Sequence, residues 1–95
     1  MKAKNEIIYV LGQLKMAGYL TSLEFDYLAY QIGNNEELPH TSVEGRSIYL
    51  IDKMLYAYSC YILSLDEELE ALITIDNGNE YCVRLNGEII LSGNL

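Results

Sequence analysis

The stretch TSVEGRSIYLIDKMLYAYSCYILSL, Thr41 to Leu65, decides the fold. It opens on Thr41-Ser-Val-Glu44, the spacing of a capping box, in which a hydroxyl and a carboxylate satisfy each other's orphan backbone donors. Beyond it Ile48, Ile51, Leu55, Tyr58, Ile62 and Leu65 follow a 3-4-3-4-3 spacing, a heptad seam. Leu50, Met54, Ala57 and Tyr61 make a second apolar stripe beside the first. Two stripes on one helix mean burial on two sides. The pattern predicts a central helix over about 42–65, and at ~1.5 Å per residue it would run about 36 Å.

Outward from that stretch, the N-terminal side reads as a helical hairpin. Ile7, Leu11, Leu14 and Gly18 recur at helical spacing, with Ile8 and Val10 widening the stripe, so a helix is expected from about Asn5 to Ala17. Gly18 stops it. Thr21-Ser-Leu-Glu24 is another capping box and opens a helix over 22–32, which ends at Gly33-Asn34-Asn35. The run from Leu14 to Phe25 resembles the helical hairpin of SHOCT-type short domains over less than a quarter of the chain; it is a likeness of local structure and implies no function.

On the C-terminal side the period changes from 3.6 to 2. Asp76-Asn77-Gly78 and Leu85-Asn86-Gly87 read as hairpin loops with glycine in the left-handed position. They predict three antiparallel strands over about 71–76, 79–85 and 88–92. Three-residue loops would set Ile73 against Tyr81, Ala71 against Val83, Val83 against Ile89, Tyr81 against Leu91 and Arg84 against Glu88. A two-residue loop at either turn would place core residues opposite polar ones and is rejected on that ground. One face, Ala71, Ile73, Ile75, Tyr81, Val83, Leu85, Ile89 and Leu91, must then lie on the helices. The expected architecture is α+β: an αα-hairpin (1–33) and one long central helix (41–65) packed on a three-stranded β-meander (70–93), all within a single domain over 1–95.

Ninety-five residues leave room for one core, and a chain so short buries little more than ~60% of its unfolded surface. Half the residues are hydrophobic (51%), which excludes a disordered chain. Six Lys+Arg stand against fourteen Asp+Glu, a formal net charge of −8. Gripping nucleic acid requires cations that displace condensed counterions, so direct DNA or RNA binding is not expected. An anionic membrane is disfavoured in the same way. A winged-helix reader would need a basic recognition helix, and the long segment offers Arg46 and Lys53 against Glu44 and Asp52. Cys60 and Cys82 are far apart and in no motif, and no stretch is long enough to span a bilayer. A cytoplasmic protein with reduced thiols is the expectation, with a Cys60–Cys82 disulfide the lesser alternative.

The chemistry on offer is recognition rather than catalysis. His40 is the only histidine and stands in a Pro-His-Thr loop with no cysteine near it in sequence. One His and two scattered Cys do not build a zinc set. Asp66-Glu67-Glu68 with Glu70, and Asp76 to Glu80, lack the ligand spacing of a calcium loop. No glycine-rich stretch opens a helix after a strand, so no phosphate cradle is present. Neither enzyme activity, metal nor cofactor is expected.

The acids are unevenly placed. No Lys or Arg lies between Lys15 and Arg46, where Glu24, Asp26, Glu36, Glu37 and Glu44 stand. None lies between Lys53 and Arg84, where Asp66, Glu67, Glu68, Glu70, Asp76 and Glu80 stand. Nine tyrosines and no tryptophan accompany them. Tyr27 and Tyr30, three residues apart on the second helix, add the aromatic contact area that suits a protein interface.

The expected partner-binding set is therefore Glu24, Asp26, Glu36, Glu37, Asp66, Glu67, Glu68, Glu70, Tyr27 and Tyr30, and the expected partner is a basic protein. In size and charge balance the chain resembles phage-type, anti-CRISPR-like inhibitors that imitate the charge of DNA. The resemblance implies a small inhibitor or adaptor docking on a nucleic-acid-handling protein. The alternative is a homo-oligomeric module that associates through the helix seam or through Leu72, Cys82 and Ile90, which the expected register aligns as an apolar strip, and hence dimer surface, on the outer face of the sheet.

Overall fold

The computed structural model describes residues 4–37, 39–54, 58–66, 69–76 and 79–95. Two helices, α1 (Lys4–Met16) and α2 (Ser22–Gly33), precede six strands. These are β1 (His40–Val43), β2 (Arg46–Met54), β3 (Tyr58–Leu65), β4 (Leu69–Asp76), β5 (Glu80–Leu85) and β6 (Glu88–Asn94). Each strand pairs antiparallel with the next, in the order β1-β2-β3-β4-β5-β6.

The hairpin of helices forms as its sequence predicts. Ile7, Val10, Leu11 and Leu14 put one face of α1 into the core. Gly18 turns the chain at φ +90°, a conformation that costs a residue without Cβ little. At the start of α2 the backbone N–H of Thr21 donates to Glu24 Oε1 at 2.8 Å, and the Glu24 N–H donates to Thr21 Oγ1 at 3.1 Å. The capping box is complete.

The expected long helix is absent, and the three-stranded meander is a six-stranded sheet. The described residues of Thr41 to Leu65 hold most of β1 and all of β2 and β3. The supposed capping box is a hairpin turn: Glu44 (φ 52°) and Gly45 (φ 83°) join Val43 to its partner Arg46. Positive φ at both central residues is the mark of a type I′ turn, whose twist suits two strands.

The seam fails on parity. Ile48 and Leu50 are fully buried, while Tyr49 and Ile51 are exposed on the other face. Tyr61, Leu63 and Leu65 point into the core, and Ile62 lies on the opposite side. A strand sends successive side chains to opposite faces, so the members of a 3-4 seam divide between them. The residue types explain the outcome. Four tyrosines, three isoleucines, a valine and a threonine stand in the stretch, and β-branched and aromatic side chains fit a pleated surface better than a helix. Leu55, Tyr56 and Ala57, which the helix would have included, lie outside the described residues.

The core-facing side of the sheet presents Ile48, Leu50, Tyr61, Leu63, Leu65, Ala71, Ile73, Ile75, Tyr81 and Val83. These join the buried faces of α1 and α2 in one cluster. The result is a small α+β domain with two helices covering one face of an antiparallel sheet.

The register at the C-terminal end also differs from expectation. Ile73 faces Val83, Ala71 faces Leu85 and Ile75 faces Tyr81, one pair along from the expected pairing but on the same face. The β5–β6 turn has two residues, Asn86 (φ 52°) and Gly87 (φ 83°), so Leu85 faces Glu88 and Arg84 faces Ile89. A bulge then leaves Ile90 unpaired, after which Val83 faces Leu91 and Tyr81 faces Gly93. The bulge restores the parity that a plain two-residue turn would have spoiled. Ile89 is consequently 58% exposed on the outer face, and Ile90 packs against the core.

Candidate interaction surfaces

The outward side of α2 carries Leu23, Tyr27 and Tyr30, spaced i, i+4, i+7 and exposed by 49%, 50% and 70%. That spacing stacks them along one face of the helix. Asp26 is exposed on the same helix, and Glu36 and Glu37 are exposed just past its end. No Lys or Arg belongs to α2, to the loop after it or to β1. The neighbouring Lys4 reaches across to donate a 2.6 Å hydrogen bond from Nζ to Asn35 Oδ1.

Glu24 behaves differently from the other expected partner-binding acids. It is 1% exposed and holds the fold together. Oε1 serves the capping box, and Oε2 lies 3.6 Å from Arg46 Nε. The same guanidinium donates from Nη2 to the Tyr19 carbonyl at 3.0 Å. The start of α2 is thereby tied to the start of β2. At the other end of α2, Gln31 Oε1 accepts the His40 N–H at 3.0 Å, so β1 runs back alongside the helix.

The residue just past β3 comes to the same place. The Asp66 N–H donates to the Ser47 carbonyl at 2.7 Å, one residue from Arg46. Glu44 and Asp66 are both exposed there, and Glu70 is exposed on β4. Glu67 and Glu68 lie outside the described residues. Exposed acids thus stand beside the segment that Arg46 ties to the start of α2, and Glu36 and Glu37 are exposed past the other end of the helix.

The outer sheet face is not the strip that the sequence suggested. Leu72 faces Arg84, Cys82 faces Thr74 and Ser92, and Ile90 is turned toward the core by the bulge. The row that does form is Ile51, Ile62, Leu72, Arg84 and Ile89, one residue from each of β2 to β6. Arg84 stands between two open clefts of about 340 and 380 Å³, the first lined by Ile62, Leu72 and Glu70, the second by Thr74, Cys82 and Ser92. Among the described residues no carboxylate forms an ion pair with Arg84.

Cys60 and Cys82 are free thiols, each facing Thr74 across one strand pair. Two strand spacings separate them by about 9.6 Å, beyond the ~7 Å Cα limit of a disulfide. Burial raises the Cys60 thiol above its ordinary value; Lys53 opposes that shift and Asp52 adds to it. His40 stacks on Tyr49, its partner in the β1–β2 pair, with ring centroids 4.4 Å apart. Among the described residues no three His, Cys, Asp or Glu side chains are grouped to hold a metal ion. No described helix is long and apolar enough to cross a membrane.

No family model, curated protein or solved structure matches this chain.

Proposed function

We propose that this protein is a small acidic inhibitor or adaptor that docks through α2 on a basic, nucleic-acid-handling protein, in the manner of a DNA mimic. One observation carries the reading: an exposed Leu23/Tyr27/Tyr30 stripe bordered by Asp26, Glu36 and Glu37, with no cation on the helix that bears it. Aromatic rings supply contact area at low entropic cost, and their hydroxyls tolerate a wet rim. The flanking carboxylates supply steering toward a basic surface and select against acidic partners. The exposed acids at the β1–β2 and β3–β4 tips extend the negative field beyond the start of α2. The partner is a protein; the reading includes no catalytic step, cofactor, membrane or direct nucleic-acid contact.

The test is a pull-down from the native cell's lysate, with Tyr27→Ala/Tyr30→Ala as the control bait. The expected prey is a basic nucleic-acid-binding protein that rising salt releases, that DNA competes away and that the double variant fails to hold. Attraction between exposed charges is screened within about 8 Å at physiological salt, so release by salt is required. A partner that is held equally at high salt, or equally by the double variant, would overturn the reading.

A further inference from the structure

The smaller cleft on the outer face of the sheet, about 340 Å³, carries two opposite charges that do not pair with each other. Its lining is Ile62 of β3, Glu70 and Leu72 of β4, Arg84 of β5, and the turn residues Asn86 and Gly87. Leu72 faces Ile62 on one side and Arg84 on the other, so two apolar side chains stand in line with the guanidinium. Glu70 is two residues from Leu72 on the same strand and therefore on the same face. Among the described residues the side chains of Arg84 and Glu70 form no ion pair and no hydrogen bond. An arginine fork and a carboxylate bond strongly when they find partners. Here both border one cleft, over an apolar floor, and neither uses the other.

We propose that this cleft binds a small zwitterion with an apolar body, of the class of aliphatic α-amino acids. The ligand carboxylate lies on the Arg84 guanidinium, whose planar fork matches that group. The ammonium meets Glu70, and the aliphatic chain covers Ile62 and Leu72. The charges select this class over simpler ones. A plain anion is opposed by Glu70 and by the net charge of −8, and a plain cation is opposed by Arg84. A zwitterion has no net charge for the field to repel, and it employs both groups. The volume agrees, since it lies at the lower end of the ~300–1,000 Å³ range of ligand sites and suits a molecule of amino-acid size. So small a ligand in an open cleft binds weakly, with a Kd on the order of 1 mM. The helices lie on the other face of the sheet, so the proposal is independent of the α2 reading.

The experiment is an amide-resolved NMR titration of the full chain with L-leucine, at constant pH and up to about 20 mM. Three controls each lack one part of the ligand: isocaproate the ammonium, isoamylamine the carboxylate, and glycine the aliphatic chain. The expected result is saturating shifts at the amides of Ile62, Glu70, Leu72, Arg84 and Gly87 with leucine, and binding weaker by about 10-fold or more with each control. Arg84→Met and Glu70→Gln should each weaken leucine by a similar factor while keeping the circular-dichroism spectrum. Tyr27→Ala/Tyr30→Ala should bind leucine as the wild type does. A titration with no saturable shift in the cleft overturns the proposal. So does isocaproate or isoamylamine binding as tightly as leucine, or a charge variant that binds leucine unchanged. Shifts at the same amides that follow protein concentration alone would assign the face to a second copy and overturn it too.

Discussion

Glu44→Asn gives opposite signs for a strand turn and for a helix. In the structure Glu44 holds φ 52° as the first central residue of the β1–β2 turn. The left-handed region costs an L-residue with a full side chain about 1–2 kcal/mol, and asparagine is among the few that visit it readily. Asn-Gly is also the preferred pair for a type I′ turn. Relief of part of that strain should stabilise the protein by about 0.5–1 kcal/mol. For a domain of this length, a gain of that size raises Tm by roughly 2–8 °C.

Were Glu44 the third residue of a capped helix, the same change would remove the reciprocal carboxylate of the box and lower helix propensity. It would then destabilise by about 0.5–1 kcal/mol. Glu44 is exposed in a strongly acidic chain, so Glu44→Gln serves as the control that removes charge without easing the backbone. The assay is urea unfolding with Cm and m measured for all three proteins. A Glu44→Asn protein that is less stable than wild type, or no more stable than Glu44→Gln, would refute the turn and the strand assignment that depends on it.

Arg46→Met leaves the buried Glu24 carboxylate without its cation; the pair is 3.6 Å apart and the arginine side chain is 34% exposed, so the loss falls below that of a fully buried pair. An expected cost of about 1–2 kcal/mol follows, and a Glu24→Gln/Arg46→Met cycle by urea unfolding should show coupling rather than simple addition. A Cβ at Gly93 would stand 3.1–3.3 Å from three atoms of the Tyr81 side chain, which packs across the glycine from the opposite position in the ladder. Gly93→Ala should therefore cost about 1 kcal/mol through overpacking, visible as a lower Cm and an altered tyrosine near-ultraviolet spectrum.

Cys60 is 4% exposed and its thiol is raised by burial, so iodoacetamide at neutral pH should label Cys82 well before Cys60, as read by mass spectrometry of peptides. The folded state holds the Cys60 proton more tightly than the unfolded state does. That contribution is complete below the ordinary thiol value and is lost as pH climbs through the raised one, so Cys60→Ala should show a shallower alkaline fall in stability.

Local signals were legible wherever neighbouring residues settled the matter. Thr21 and Glu24 form their capping box because the partners are three residues apart on one turn, whatever surrounds them. The alternation in β4 and β5 gave the correct core face, since Ala71, Ile73, Ile75, Tyr81 and Val83 repeat at a period no helix would satisfy. The α2 stripe was half legible. The spacing of Tyr27 and Tyr30 sets them on one face of the helix, and the i, i+4 relation of Leu23 to Tyr27 adds it to that face, but the exposure that makes the row a surface stripe is visible only in the folded chain. Thr41 to Leu65 misled because an almost continuous apolar run matches both periods at once. The signals that favour strands, β-branched and aromatic content around Glu44-Gly45, were outweighed by an accidental 3-4 spacing.

Composition and local pattern by themselves determined a small acidic chain with a helical hairpin, a strand-rich C-terminal third and a cation-free stretch around α2. Only the tertiary structure decided that Glu24 is an interior anchor rather than a docking acid, because Arg46 comes to it from 22 positions along the chain. It also decided the outer-face row and the cleft that Glu70 and Arg84 border. Those depend on how each strand is registered against the next, and register is set by turn geometry and a single bulge at Ile90, where one unpaired residue reassigns every later side chain to the other face.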